Sequence, residues 1–353
     1  MPHGLRALVK SSWTTAACIT VSLGFGVAAV AQQTQLTQVA VGIANTATDV
    51  GFFIADKRGY FRDAGIAVSM TPFSSAARMI APLGTGQLDV GAGTVAAGLY
   101  NAVERGIRIR VVADKGSIAD GYEYSTLLVR KDLVDSGRYR TLSDLKGLTI
   151  ATAAQGSGSE SSLNEALKKG GLKFTDVNVV YMGFPEQLAA YRNKGIDAGI
   201  TAEPTVTRAI RDGYAVRASP QAIYPGQQTA VVLFSERFAD RRPLAQRFMN
   251  AYIRAVRDYN DALMGGRLAG PGAREIIAIL TEYTDIKNAE TFAAMTAFAV
   301  NPDGRVNAAS LKNDLDFFKQ RALVAGKASV DQVIDNSFAE EAVRVLGAYK
   351  DKR

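Results

Sequence analysis

The chain has 353 residues, a formal net charge of +7, and 21% charged against 47% hydrophobic residues, the balance of a globular protein with about two domains. Charges of both signs are interspersed and no long Lys/Arg run occurs, which excludes the clustered basic footprint of a nucleic-acid binder. The single Cys, His and Trp (Cys18, His3, Trp13) all fall within the first 18 residues.

Residues 1–31 read as a cleaved export signal. Arg6 and Lys10 precede an apolar run from Ala16 to Val30 that ends in Ala29-Val30-Ala31. The run is short for a membrane span of roughly 20 residues. Thr15-Ala16-Ala17 is a poor lead-in for lipid attachment at Cys18. The mature chain is therefore expected to be exported. Beyond residue 31 the chain holds no Cys, His or Trp. That removes a Ser-His-Asp triad, a thiol nucleophile and the usual zinc ligands, and it favours a binder over an enzyme. Catalysis by carboxylates, Lys or Tyr stays open. No cofactor or metal is implied.

Residues 37–43 (TQVAVGI) are β-branched and predict a strand, followed by a helix over 50–57 that Gly59 stops. Residues 66–70 predict a second strand. Ser74 or Ser75 caps a helix with apolar Ala76, Met79, Ile80 and Leu83, which Pro82 kinks or shortens. A short strand over 88–90, a helix over 95–104 and a strand over 107–113 complete a βα block. The pattern then recurs: strands over 149–153, 177–181 and 196–200, and helices over 159–169, 185–192 and from Pro204 onward, with Tyr122-Glu123-Tyr124 leading into 125–129 as a segment that links the lobes. Gly86-Gln87-Leu88-Asp89-Val90-Gly91 echoes Gly195-Ile196-Asp197-Ala198-Gly199. Two βα lobes in tandem fit a cleft protein. Residues 229–234 carry the chain back toward the first lobe. Beyond Pro243 the chain turns helical, and Leu244, Phe248, Tyr252, Val256, Tyr259 and Leu263 define one apolar face.

An ordered set of motifs resembles one family. It comprises Asp49-Val50-Gly51-Phe52-Phe53-Ile54-Ala55, Gly59-Tyr60-Phe61, Gly65-Ile66, residues 86–91, Asp144-Leu145-Lys146-Gly147 and Glu203-Pro204. Together they resemble the periplasmic binding proteins of ABC importers for nitrate, sulfonates, taurine and thiamine-type pyrimidines. Members of that family often carry a proline in the loop before the first helix, where this chain has Asp49-Val50-Gly51. The resemblance implies an α/β fold of two lobes with mainly parallel sheets, a central ligand cleft and a helical C-terminal tail. The lobes are expected at residues 32–121 with 235–353, and at 122–234 with hinge segments at both ends. It implies a monomer that closes on a small molecule and docks on a membrane permease, with no reaction required.

Ligands of open α/β lobes sit beyond the carboxyl ends of the strands, which selects the loops at those ends. In the first, Asn45, Thr46 and Thr48 offer donors, Asp49 an acceptor and Phe52 a ring for stacking or a place in the core. In the second, Ser74 and Ser75 begin a helix whose free amides suit an anion, unless the serines simply cap it. The third, Gly91-Ala92-Gly93-Thr94-Val95-Ala96, matches a dinucleotide fingerprint, but it succeeds the wrong strand of its lobe. Close backbone approach is the better reading. In the second lobe Gly156 and Ser157 open a helix, Phe184 offers an apolar wall, and Glu203, by resemblance, faces the cleft. Arg78, Lys115 and Arg130 are the cations nearest the cleft and are each expected to be solvated. The ligand classes that fit are sulfonate, nitrate, pyrimidine and aromatic carboxylate. An enzyme on the same scaffold, or a sensor that hands its ligand to a receptor, are the alternatives.

Overall fold

A computed structural model describes residues 35–351; the expected signal segment lies outside them. The fold is built on two five-stranded sheets. The first contains β1 (Thr37–Ile43), β2 (Ile66–Pro72), β3 (Val90–Gly93), β4 (Ile109–Ser117) and β10 (Gln228–Ser235), in the order β2-β1-β3-β10-β4. The second contains β5 (Ser125–Arg130), β6 (Thr149–Thr152), β7 (Asn178–Tyr181), β8 (Ala198–Ala202) and β9 (Ala215–Arg217), in the order β7-β6-β8-β5-β9. In β1, Val39, Val41 and Ile43 alternate onto the core, as the β-branched pattern predicts.

The strands are parallel except where the chain changes sheets. β10 runs antiparallel to β3 and β4, and β5 runs antiparallel to β8 and β9. These are the two strands reached by a crossing. A chain leaving the carboxyl end of β4 reaches the second sheet at its own carboxyl edge, so it can only run away from that edge. The same holds on the return. β10 lies in the first sheet along its whole length, so the return crossing precedes Gln228.

The two echoed motifs form the same device. Asp89 Oδ2 accepts the Ala40 N–H at 3.0 Å while the Asp89 N–H donates to the Ala40 carbonyl. Asp197 Oδ2 accepts the Thr149 N–H at 2.9 Å and its N–H donates to the Thr149 carbonyl. Each aspartate staples its segment to the neighbouring parallel strand. Because Asp89 and Asp197 form these staples, the strands begin just after them, at Val90 and Ala198, two residues later than the expected starts at 88 and 196. β4 begins at Ile109 and runs to Ser117, past the expected end at 113, because Asp114 and Lys115 stay in the strand with buried partners. Pro82 has the expected effect. A 3-10 turn over Ala76–Met79 gives way to a separate helix, Ile80–Thr85, with Pro82 in its first turn.

Helix Arg242–Asp261 buries its predicted face against the first sheet. Phe248 is its centre, with ring centroids 4.7 Å from Phe61, 5.8 Å from Phe238, 5.9 Å from Phe234 and 6.1 Å from Phe52. Leu263 lies past the helix end, in a two-residue strand, and is still buried. At Gly51 a Cβ would come within 2.7 Å of the Tyr252 ring, so glycine lets the first helix approach this one. No described helix is long and apolar enough to cross a membrane. Phe248→Ala should cost about 3–5 kcal/mol in urea-induced unfolding, because its rigid aromatic neighbours cannot collapse into the space.

Candidate functional site

The loops beyond the carboxyl ends of β3 and β6 meet between the sheets. The Ala97 N–H, just after β3, donates to the Gly156 carbonyl, just after β6, at 2.8 Å. Gly156 has φ 67°, and a Cβ there would lie 2.8 Å from Ala97 Cβ. Glycine is required both by the left-handed backbone and by this approach.

Behind the first loop lies a buried ion pair. Lys115 Nζ donates to Asp49 Oδ1 at 2.7 Å and to Thr48 Oγ1 at 2.7 Å, with both charged side chains fully buried. Asp49 Oδ2 accepts the Thr46 N–H at 2.9 Å, so both carboxylate oxygens have partners within the protein. Burial pulls the Lys115 ammonium below its ordinary value, and the adjacent Asp49 opposes the shift. The expectation that Lys115 is solvated is thus overturned: neighbouring oxygens and a tight aromatic wall hold it inside. Asn45 has φ 54°, a left-handed conformation Asn tolerates, and its Nδ2 donates to Asp285 Oδ2 at 3.0 Å. Phe52 is fully buried, its ring 4.9 Å from that of Tyr252, and therefore packs in the core.

In the second loop Ser74 is exposed and Ser75 half-buried. Ser75 precedes the 3-10 turn with an extended backbone and makes no side-chain cap, which leaves its hydroxyl uncommitted to capping. The glycines of the third loop serve packing. A Cβ on Gly93 would lie 2.4 Å from Ala76 Cβ, and one on Gly91 would lie 2.9 Å from the Leu83 side chain. Thr94 is half-buried and close to Gly158, where a Cβ would lie 3.9 Å from Thr94 Cβ.

Ser157 is the N-cap of helix Gly158–Lys169. Its hydroxyl turns back into the loop, donating to the Ala154 carbonyl at 2.7 Å and pairing with Ser159 Oγ at 2.8 Å. The Glu160 and Ser161 N–H groups already meet the Ser157 carbonyl, at 3.0 and 3.3 Å, so the donors this helix start offers are the Gly158 and Ser159 amides. Glu160, which no sequence motif marks, holds this loop from below: Oε2 accepts the Gly156 N–H at 2.7 Å and Oε1 the Tyr181 hydroxyl at 2.7 Å. Nothing in its position in a helical pattern signals that role. Phe184 opens a helix of the second sheet yet packs against the core of the first.

Glu203 is almost fully buried. Its carboxylate accepts from Thr207 N–H (2.9 Å), Thr207 Oγ1 (3.0 Å) and Thr296 N–H (3.2 Å). Burial pushes this carboxyl up, and the Thr207 bonds oppose it. Arg78 is exposed. Arg130 lies away from the loops, at the far end of antiparallel β5, where it pairs with Asp132 and Asp197. Its expected place near the cleft is corrected: β5 runs antiparallel to β8, which carries Arg130 to the edge away from the loops. Asp49→Ala should cost about 3–5 kcal/mol of unfolding free energy, since it strands the Lys115 ammonium. Adding Lys115→Met should recover part of that loss, measured by a double-mutant cycle in urea.

Residues 32–264 match the model of the NMT1-like family. A putative ABC transporter periplasmic binding protein from Brachyspira hyodysenteriae is 27% identical over 301 residues, covering 79% of this chain and 82% of that protein. The periplasmic nitrate-binding protein NrtA from Synechocystis PCC 6803 superposes with a TM-score of 0.72 at 13% identity, covering 89% of this chain and 90% of that one. The periplasmic aliphatic sulphonate binding protein SsuA from Escherichia coli superposes with a TM-score of 0.63 at 21% identity, covering 84% and 92%. The fold is that of the periplasmic binding proteins.

Proposed function

We propose that this chain, which belongs to the NMT1-like family, is the solute-binding component of an ABC importer. It captures a small polar organic molecule or anion of the sulfonate, nitrate, pyrimidine or aromatic-carboxylate class and delivers it to a membrane permease. Two lobes, residues 32–121 with 235–353 and residues 122–234, close on the ligand about hinge segments. An N-terminal signal over residues 1–31 exports the chain to the periplasm, where it acts as a monomer.

The observation that carries this reading is the convergence of the strand-exit loops of both sheets, joined by the Ala97–Gly156 hydrogen bond. The ligand set is Asn45, Thr48, Asp49, Ser74, Ser75, Thr94, Gly156, Ser157, Phe184 and Glu203, with Phe52 supporting the first loop from the core. Within it the roles divide. Asp49 and Glu203 already have protein partners, so they shape the cleft walls and orient neighbouring donors. Ser75, Thr94 and the Gly158 and Ser159 amides remain to meet a ligand's oxygen atoms. Phe184 supplies apolar area. No reaction is needed, and no internal base faces a nucleophile in this set.

Thermal unfolding against an alkanesulfonate, nitrate, a pyrimidine and an aromatic carboxylate, one at a time, tests the reading. A solute at about 100 times its dissociation constant adds roughly 2.7 kcal/mol. A clear rise with one class supports capture; no rise with any, and no small molecule released from natively purified protein, rejects it. Ser75→Ala and Thr94→Ala should each weaken binding by about 1 kcal/mol, or roughly fivefold, with the ligand-free melting temperature unchanged. Calorimetry that finds unaltered affinity in both would reject this placement of the site.

A further inference from the structure

A second bridge joins the sheets, away from the ligand loops. Helix Gly158–Lys169 buries Leu163, Ala166 and Leu167 in the core of the second sheet. Helix Ala308–Gln320 buries Leu311, Leu315 and Phe318 in the core of the first. Between them lies Asp314, 1% exposed. Ser161, one turn into the helix that Ser157 caps, donates its hydroxyl to Asp314 Oδ1. The Tyr224 hydroxyl donates to the same oxygen at 3.2 Å and accepts from Asn313 Nδ2 at 2.7 Å. We infer that Asp314 is a positioning residue, a latch between the lobes that holds the ligand helix in place and locks the cleft when it carries a proton.

This rests on the cleft reading above. Three features of the geometry support it. Both donors converge on Oδ1 and by themselves favour the ionised form, but burial outweighs them, and Oδ2 is left to carry the proton. No cation is paired with Asp314 among the described residues; the charged group facing it from the opposite helix is Glu165, which disfavours ionisation. From the first lobe it faces Tyr100, whose buried hydroxyl has no partner. Lys312 and Asp316, its neighbours on its own helix, pair with each other in solvent. Closing the interface over an ionised Asp314 would bury an unpaired charge; closing it over the acid would not. Burial accordingly pushes Asp314 up to about 7.

The sign comes from linkage. An open cleft exposes Asp314 and returns it toward its ordinary value of about 4. Closure then takes up a proton, and the closed-to-open ratio falls by up to about tenfold per pH unit between about pH 4 and 7, then levels off. The conformation can be read without any ligand. In full-length protein carrying Cys18→Ser, Lys168→Cys and Lys312→Cys place spin labels on the exposed faces of the two helices. Double electron–electron resonance should find a larger short-distance population at pH 5 than at pH 8. Adding Asp314→Asn should hold that population equal at both. A pH dependence that survives in Asp314→Asn, or one absent from the parent, overturns the latch. If Asp314→Asn does not fold, Ser161→Ala with Tyr224→Phe should lower the short-distance population at pH 5, and no change there also overturns it. Because no solute is present, failure of the ligand panel and failure of the latch are separate results.

Discussion

The architecture depends on one constraint: the chain passes between two sheets that present carboxyl ends to each other. Everything near the cleft is a consequence of it. β3 and β6 deliver their exit loops to a common space. The crossing chain must enter each sheet backwards, as β5 and β10 do. Residues on those antiparallel strands are therefore near the loops at their start and far from them at their end. The Tyr124 carbonyl, just before β5, accepts the Glu203 N–H at 2.7 Å, while Arg130 ends at the opposite edge.

Charge near the loops is internally balanced. Lys115 faces Asp49, and Glu203 meets two N–H groups and a hydroxyl. Isolated charges this deep would be prohibitively unfavourable, whereas paired and hydrogen-bonded ones are tolerated. The pairing also sets the first loop: Lys115 lies in β4 and fixes Thr48 and Asp49, the turn that launches the first helix. A sheet strand and a strand-exit loop distant in sequence are thereby locked together.

Much of this was legible in the residues. The β-branched run over 37–43, the helical stripe from Leu244 and the stop at Gly59 each depend on local preference or simple periodicity, and the structure contains all three. The Leu88-Asp89 and Ile196-Asp197 echo was visible, but its meaning was not. A carboxylate that staples a neighbouring strand looks the same in sequence as one on the surface. For the same reason Lys115 looked solvated and Glu160 unremarkable. Their partners lie across the fold or depend on a loop's path. The strand-exit rule selected loops that converge, while the direction in which Ser157 turns its hydroxyl, or Phe52 its ring, is set by tertiary packing that no local pattern encodes.

The position of β10 also orders assembly during synthesis. β3 and β4 do not touch; β10 fills the space between them, yet it emerges more than a hundred residues after either. Until it does, the first sheet is a three-stranded fragment beside a separate strand, both with open edges. The second sheet comes from one continuous stretch, residues 125–217, and can complete itself first. A chain that emerges amino end first thus has a finished second half while the first still waits for its central strand, and for the Phe248 helix that seals it. That interval is when the nascent chain is most exposed to mispairing and to chaperone capture.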